Sequence, residues 1–296
     1  RRQRQMCIRD SLFTDPFNIL LIAAFIGFFM AFGIGANDVA NSMGTSVGAR
    51  ALTIKQAILI AAVFEFLGAF LAGGEVTSTI RKGIVDPNLY TDQVNIFVIG
   101  MMSALLAGGT WLYIASLRGW PVSTTHSIVG AIIGFVLITK GVDAVSWGKV
   151  SNIAMSWVTS PLFSGILAFS LYISAKKLIL DRANPGKAAI TFIPFYSFLV
   201  AVVISLVTAR KGLKHVGIEW TENEVYLFTF IFSIIVAIGT SYFLRRNKEK
   251  INGVGGIEFA FGLLMIVSAS AMAFAHGSND VANAIGPLAA IVSVVD

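Results

Sequence analysis

Residues 35–44 read Gly35-Ala36-Asn37-Asp38-Val39-Ala40-Asn41-Ser42-Met43-Gly44, and residues 277–286 read Gly277-Ser278-Asn279-Asp280-Val281-Ala282-Asn283-Ala284-Ile285-Gly286. Both copies sit inside long apolar stretches. A carboxylate in such surroundings is costly, and membrane proteins keep one there for a ligand, an ion or a proton. The repeat therefore points to one polar site built twice.

Working outward, the composition fixes the solvent. Apolar residues make up 56% of the chain, charged residues 13%, and the mean hydropathy is +0.78. Those values describe an integral membrane protein rather than a soluble domain. The single cysteine, Cys7, excludes a disulfide framework and a multi-cysteine metal site. The formal charge of +6 is spread over links between apolar stretches, so no nucleic-acid partner is expected.

Apolar stretches near the roughly 20 residues that a bilayer crossing needs run over 16–36, 52–72, 93–117, 121–139, 153–175, 190–208, 225–244 and 257–277. Lys176, Lys177, Arg182 and Lys187 mark one link as cytoplasmic, and Arg245, Arg246, Lys248 and Lys250 mark another. Counting from these links, with 121–139 as a single crossing, sends the first span inward and 257–277 outward. Residues 121–139 could instead form part of a hairpin. In the single-crossing count the two phrases lie on antiparallel spans, as in an inverted repeat whose site forms near the membrane midplane.

The fold class expected is thus all-α: a polytopic membrane protein with inverted-topology repeats and broken or re-entrant helices. The apolar run from Phe17 to about Val47 is too long for one upright crossing. Gly33 and Gly35 supply a weak point, and Asn37 or Asp38 could cap a new half-helix. The expected organisation is a non-structural leader over 1–11, a first inverted repeat over 12–140, intervening helices and cytoplasmic loops over 141–255, and the start of a truncated second repeat over 256–296.

Asn37 and Asn41 share a helical face, with Asp38 a quarter turn away and Ser42 four residues beyond it. Asn279, Asp280 and Asn283 repeat the pattern, with Ala284 in place of the serine. Carboxylate and amide oxygens suit a hard cation, and amide N–H groups suit an oxyanion. Pro121-Val122-Ser123-Thr124-Thr125-His126 adds hydroxyls at the start of another apolar segment, where unpaired backbone amides also lie. Glu65, between Phe64 and Phe66, is the ionisable residue at the middle of its span and a candidate for ion coupling.

The spans hold no central Lys or Arg, whereas Asp38, Glu65 and Asp280 are all acidic. An anion in such a site must arrive with cations, which favours cation-coupled symport over anion uniport. A membrane-embedded hydrolase using Asp38, Asp280 and His126 is the reading from a different class. Neither the spacing nor the supply of Cys and His offers it an activated nucleophile or a metal cluster.

The two Asn-Asp phrases, with Pro-Val-Ser-Thr-Thr-His at 121–126, resemble the inorganic phosphate transporter family, the sodium- or proton-coupled phosphate symporters. The resemblance covers nearly the whole chain from about residue 16. It implies a secondary transporter rather than an enzyme, importing inorganic phosphate by alternating access in the plasma or inner membrane, without a cofactor and as a homodimer. By the same resemblance Asn37, Asp38, Asn41, Asn279, Asp280 and Asn283 line the sodium and phosphate sites, with Asp38, Asp280, Asn37 and Asn279 as sodium ligands. Ser123, Thr124 and Thr125 look like phosphate or ion contacts, and Glu65 matches the family's intramembrane glutamate; Ser42, stacked four residues after Asp38, is counted with the phosphate or ion contacts by its position. The Gly-Ala-Asn-Asp form resembles the sodium-using branch. A proton-coupled phosphate symporter and a sulfate permease of the same fold remain open. The family pattern places a second hydroxyl-rich run after the second phrase, beyond residue 296, so half of a symmetric site is expected to lie outside this chain.

Overall fold

The computed structural model describes residues 15–74, 85–212, 220–253 and 255–295. The expected leader over 1–11 lies outside them. Among the described residues every regular element is helical: α1 (Pro16–Gly48), α2 (Ile54–Ala72), α3 (Val94–Arg118), α4 (Thr124–Lys140), α5 (Trp147–Ala175), α6 (Pro185–Val207), α7 (Glu222–Arg246), the short α8 (Lys248–Asn252) and α9 (Gly256–Val295). Two short turns that matter below are the 3-10 turn Pro87–Tyr90 and the π turn Lys176–Leu180.

Seven of these helices are long and apolar enough to cross a membrane. The expected eighth crossing is α4, which has 17 residues. At about 1.5 Å per residue that is roughly 25 Å, short of the ~30 Å hydrocarbon core. By contrast α1 has 33 residues and α9 has 40.

The break expected at Gly33 and Gly35 is not found, because α1 runs on as one helix through Asn37 and Asp38 to Gly48. Gly33 serves packing rather than bending. A Cβ added there would lie 3.1 Å from Leu112 Cβ and 3.4 Å from the Gly109 carbonyl oxygen. Small residues of this kind let membrane helices approach closely, which drives association where the hydrophobic effect cannot.

The chain divides into two compact units. The first comprises Arg1–Asn41, Gly73–Val150 and Ser278–Asp296. Its core is α3 and α4 with α1 up to Asn41 and α9 from Ser278, and its fully buried side chains include Met30, Phe97, Leu105, Leu112, Ile128 and Ile132. Glycines again set the spacing. A side chain at Gly109 would overlap the Phe29 ring, and one at Gly100 would overlap Phe135. At the far end of α4, buried Tyr90 shares a 2.6 Å hydrogen bond with Thr139.

The turn from α3 to α4 is what delivers the hydroxyl run. Gly119 closes α3 in the left-handed conformation (φ 65°), and Trp120 N–H returns to the Ala115 carbonyl at 2.9 Å. That is a Schellman-type stop, where glycine avoids the Cβ clash. Ser123, in extended backbone, then caps α4 by accepting from His126 N–H at 3.2 Å.

The second unit comprises Ser42–Ala72 and Ser151–Gly277. Within it α6 and α7 pack together, and α7 opens on a reciprocal capping box between Thr221 and Glu224. The backbone of α9 at Gly277 crosses that of α2 at Glu65 so closely that any side chain at Gly277 would overlap the Glu65 carbonyl. Over its whole length α5 buries no residue, and Leu162, Phe163, Leu167 and Phe169 are all exposed. An apolar helix bare on every side is one built to face lipid.

Candidate functional site

The polar residues singled out from the sequence converge inside the first unit, at the N-terminus of α4. From α9, Asn283 Nδ2 donates toward Thr124 Oγ1 and Thr125 Oγ1, both at 3.2 Å, and toward Asp280 Oδ1 at 3.1 Å. An amide nitrogen has two hydrogens, so Asn283 divides them among three acceptors. Asp280 Oδ1 also receives Asn279 Nδ2 at 3.1 Å and, more weakly, Thr125 Oγ1 at 3.5 Å. From α1, Asn37 Nδ2 donates to the Val122 carbonyl at 2.9 Å and to Asp38 Oδ1 at 3.3 Å.

The direction of the helices can be read from these contacts. Asn37 meets residue 122 and Asn283 meets residue 124, so both phrases lie level with the start of α4. Ten residues earlier on α1, Gly27 faces Leu288, which is later on α9. The two helices therefore run antiparallel past the site, as the inverted-repeat reading expects.

The chemistry of the donors fixes their orientation. A carboxylate only accepts, so the amide nitrogens of Asn37, Asn279 and Asn283 turn toward the aspartates. Their amide oxygens point elsewhere, and among the described residues no donor reaches Oδ1 of any of the three, or Oδ2 of Asp280. A set of uncommitted carboxylate and amide oxygens is what a hard monovalent cation seeks. Among the described residues no three His, Cys, Asp or Glu side chains cluster as a metal group, and no Lys or Arg pairs with Asp280.

Burial separates the expected residues. Asn37, Asp38, Ser42, Thr124, Asp280 and Asn283 are buried, Asn283 at 1% exposure. Asn279 is exposed, though its amide is held by Asp280, and Ser123 is exposed as the cap of α4. Asn41 is exposed and does not join the cluster. Helical spacing made it the equivalent of Asn283. However, the partners of Asn283 are the hydroxyls of α4, and Asn41 has none of these among its contacts. Ser42 and half-buried Glu65 belong to the second unit.

Two contributors were missed by sequence reasoning. The Val122 carbonyl is a main-chain acceptor, left available because residues 121–123 precede α4 rather than belong to it. Its apolar side chain gave no signal. Gly277 was read only as part of the phrase, yet its bare Cα is what admits the α2 backbone at Glu65.

With the geometry in view, the chain can be set beside known proteins. Residues 34–296 match the phosphate transporter family. The chain belongs to this family. A Haemophilus influenzae protein provisionally named a phosphate permease is 50% identical over 285 residues, covering 94% of this chain and 67% of its own length. The chloroplastic inorganic phosphate transporter 2-1 of Arabidopsis thaliana is 40% identical over 290 residues, covering 91% of this chain and 49% of its own. Among solved structures, one described as the sodium-dependent phosphate transporter superposes with a TM-score of 0.85 at 41% identity, covering 94% of this chain and 68% of that one. Membership in a family of transporters, together with seven apolar helices, makes this an integral membrane protein and sets the hydrolase reading aside.

Proposed function

We propose that this member of the phosphate transporter family imports inorganic phosphate by symport with sodium, at the cluster around α4. The observation that carries the reading is Asp280. It sits among apolar helices at 9% exposure, with Oδ1 held by two asparagine amides and a threonine hydroxyl and with no cationic side chain beside it. A buried carboxylate in that state needs a mobile cation to offset its desolvation.

In this reading Asp38 and Asp280 each bind sodium through carboxylate oxygens, assisted by the amide oxygens of Asn37 and Asn279. Phosphate sits against the first turn of α4. There the hydroxyls of Thr124 and Thr125 and the leading backbone amides present donors at the positive end of the helix dipole. Ser123 holds that turn in place by its cap. A phosphate still carrying a proton also donates to a carboxylate or amide oxygen, and sulfate cannot. Glu65 acts as a coupling residue, and the two repeats rock about the site to alternate access.

Two sodium ions with each monovalent phosphate move one net positive charge, worth about 2.3 kcal/mol per 100 mV of membrane potential. The chain works as a homodimer in the plasma or inner membrane. Uptake of radiolabelled phosphate into proteoliposomes tests the reading. Replacing sodium with potassium should abolish uptake, and excess sulfate should leave it intact. Undiminished uptake in potassium would overturn sodium coupling, and competition by sulfate would change the substrate.

A further inference from the structure

In the second unit the link from α5 to α6 and the link from α7 to α9 bring their cationic residues to one end, whereas Arg210 lies beyond the opposite end of α6, paired with Glu222. The turn Lys176–Leu180 and the start of α6 carry one set, and the end of α7 with α8 carries the other. Buried Ile179, Ile193, Leu244 and Ile251 pack these two links onto a common core. Gly186 lies so close to Asn252 that an added Cβ would come within 2.5 Å of its Oδ1. The charges are thus held by folded backbone and not by free loops.

Two of the cations are engaged: Lys176 pairs with Asp181 at 2.8 Å, and Lys250 lies 3.9 Å from the centre of the Phe259 ring. Lys177, Arg182, Lys187, Arg245, Arg246 and Lys248 are exposed, and among the described residues none has a side-chain partner. The acidic residues left on this end are Glu249 and Glu258. Like charges gathered on links that share one core repel one another, and an anion between them relieves that repulsion.

Beside the cations the surface changes character. Tyr172 at the end of α5, Leu180 between Lys177 and Arg182, and Tyr242 and Phe243 just before Arg245 are all exposed. Tyrosines at that level mark the headgroup boundary, and the helices beyond are apolar. A dissolved anion would use only the cations. The arrangement fits a molecule with an anionic head and apolar tails.

We propose that this end of the second unit is a binding surface for anionic phospholipid, with headgroup phosphates seated among Lys177, Arg182, Lys187, Arg245, Arg246 and Lys248 and acyl chains along Tyr172, Leu180 and Tyr242. A basic excess on cytoplasmic links also orients a membrane protein, and mobile loops suffice for that. Packing the two links onto one core is what creates a site able to hold lipid in place.

The test uses the full chain in nanodiscs of phosphatidylcholine with and without phosphatidylglycerol, with retained lipid counted by native mass spectrometry. Wild type should retain phosphatidylglycerol in preference to phosphatidylcholine. Changing the six cations to Gln should cut that preference by about tenfold or more. Arg246→Gln with Lys248→Gln, which leaves most of the basic bias for insertion, should lower it measurably. Equal retention of both lipids by wild type, or an unchanged preference in the two-residue variant, would overturn the proposal. So would displacement of phosphatidylglycerol by excess inorganic phosphate, which would show that the surface reads free anion. Phosphate uptake is scored separately, so loss of transport does not count for or against the lipid site.

Discussion

The two copies of the Asn-Asp phrase share seven of ten residues and are used differently. In the second copy Asn283 is buried and reaches the α4 hydroxyls, whereas its counterpart Asn41 is exposed. Gly277 is closed by the Glu65 backbone, whereas a Cβ on Gly35 would meet nothing within 4 Å. Both copies nevertheless touch one structure, the start of α4, the first through the Val122 carbonyl and the second through Thr124 and Thr125. A repeated phrase sets the chemistry available, but the neighbour that each copy meets decides which of its groups is used.

The largest expected effects fall where the copies agree. Asp38→Asn and Asp280→Asn should each remove the sodium dependence of phosphate uptake and lower its rate by about a hundredfold, on the scale of a lost charged interaction. Folding, followed by thermal unfolding in detergent, should change little. Wild-type sodium activation in either variant would break the assignment.

The next effect sharpens the difference between the glycines. Gly277→Ala pushes a methyl group into backbone and should destabilise the protein by about 1–3 kcal/mol. Gly35→Ala enters open space within a helix, where alanine is preferred by up to about 1 kcal/mol. A pair of equal melting shifts would contradict the comparison.

Asn283→Ala should weaken sodium-dependent phosphate binding by about tenfold, through roughly 1–3 kcal/mol of unpaired buried groups. Asn41→Ala should stay within about 0.5 kcal/mol of wild type. Equal losses would mean that the copies are used alike. Smallest is Thr125→Val, which removes a long 3.5 Å contact to Asp280 and one acceptor for Asn283. It should raise the phosphate concentration for half-maximal uptake by a few-fold, since one neutral hydrogen bond is worth about 1 kcal/mol.

Much of this was legible in the sequence, because a bilayer leaves few choices. Apolar runs must be helices; the stretch read as 16–36 falls inside α1, and those read as 52–72 and 93–117 come within two residues of the bounds of α2 and α3. The paired aspartates were visible for the same reason, as acidic residues inside apolar runs that hold no central Lys or Arg. What could not be read was tertiary. Gly33 looks the same whether it bends a helix or seats Leu112 against it. Asn41 and Asn283 have matching neighbours in sequence, and only the position of α4 tells them apart. The carbonyl of Val122 is invisible to any reading of side chains.

The central claim is that buried acidic and amide groups without a resident cation hold phosphate only together with sodium. Equilibrium binding of radiolabelled phosphate to the purified full chain, titrated with sodium at constant ionic strength, addresses it directly. Phosphate affinity should rise steeply with sodium in wild type and stay flat in Asp280→Asn. Full-affinity binding in potassium alone, or an unchanged sodium response in the variant, would contradict it.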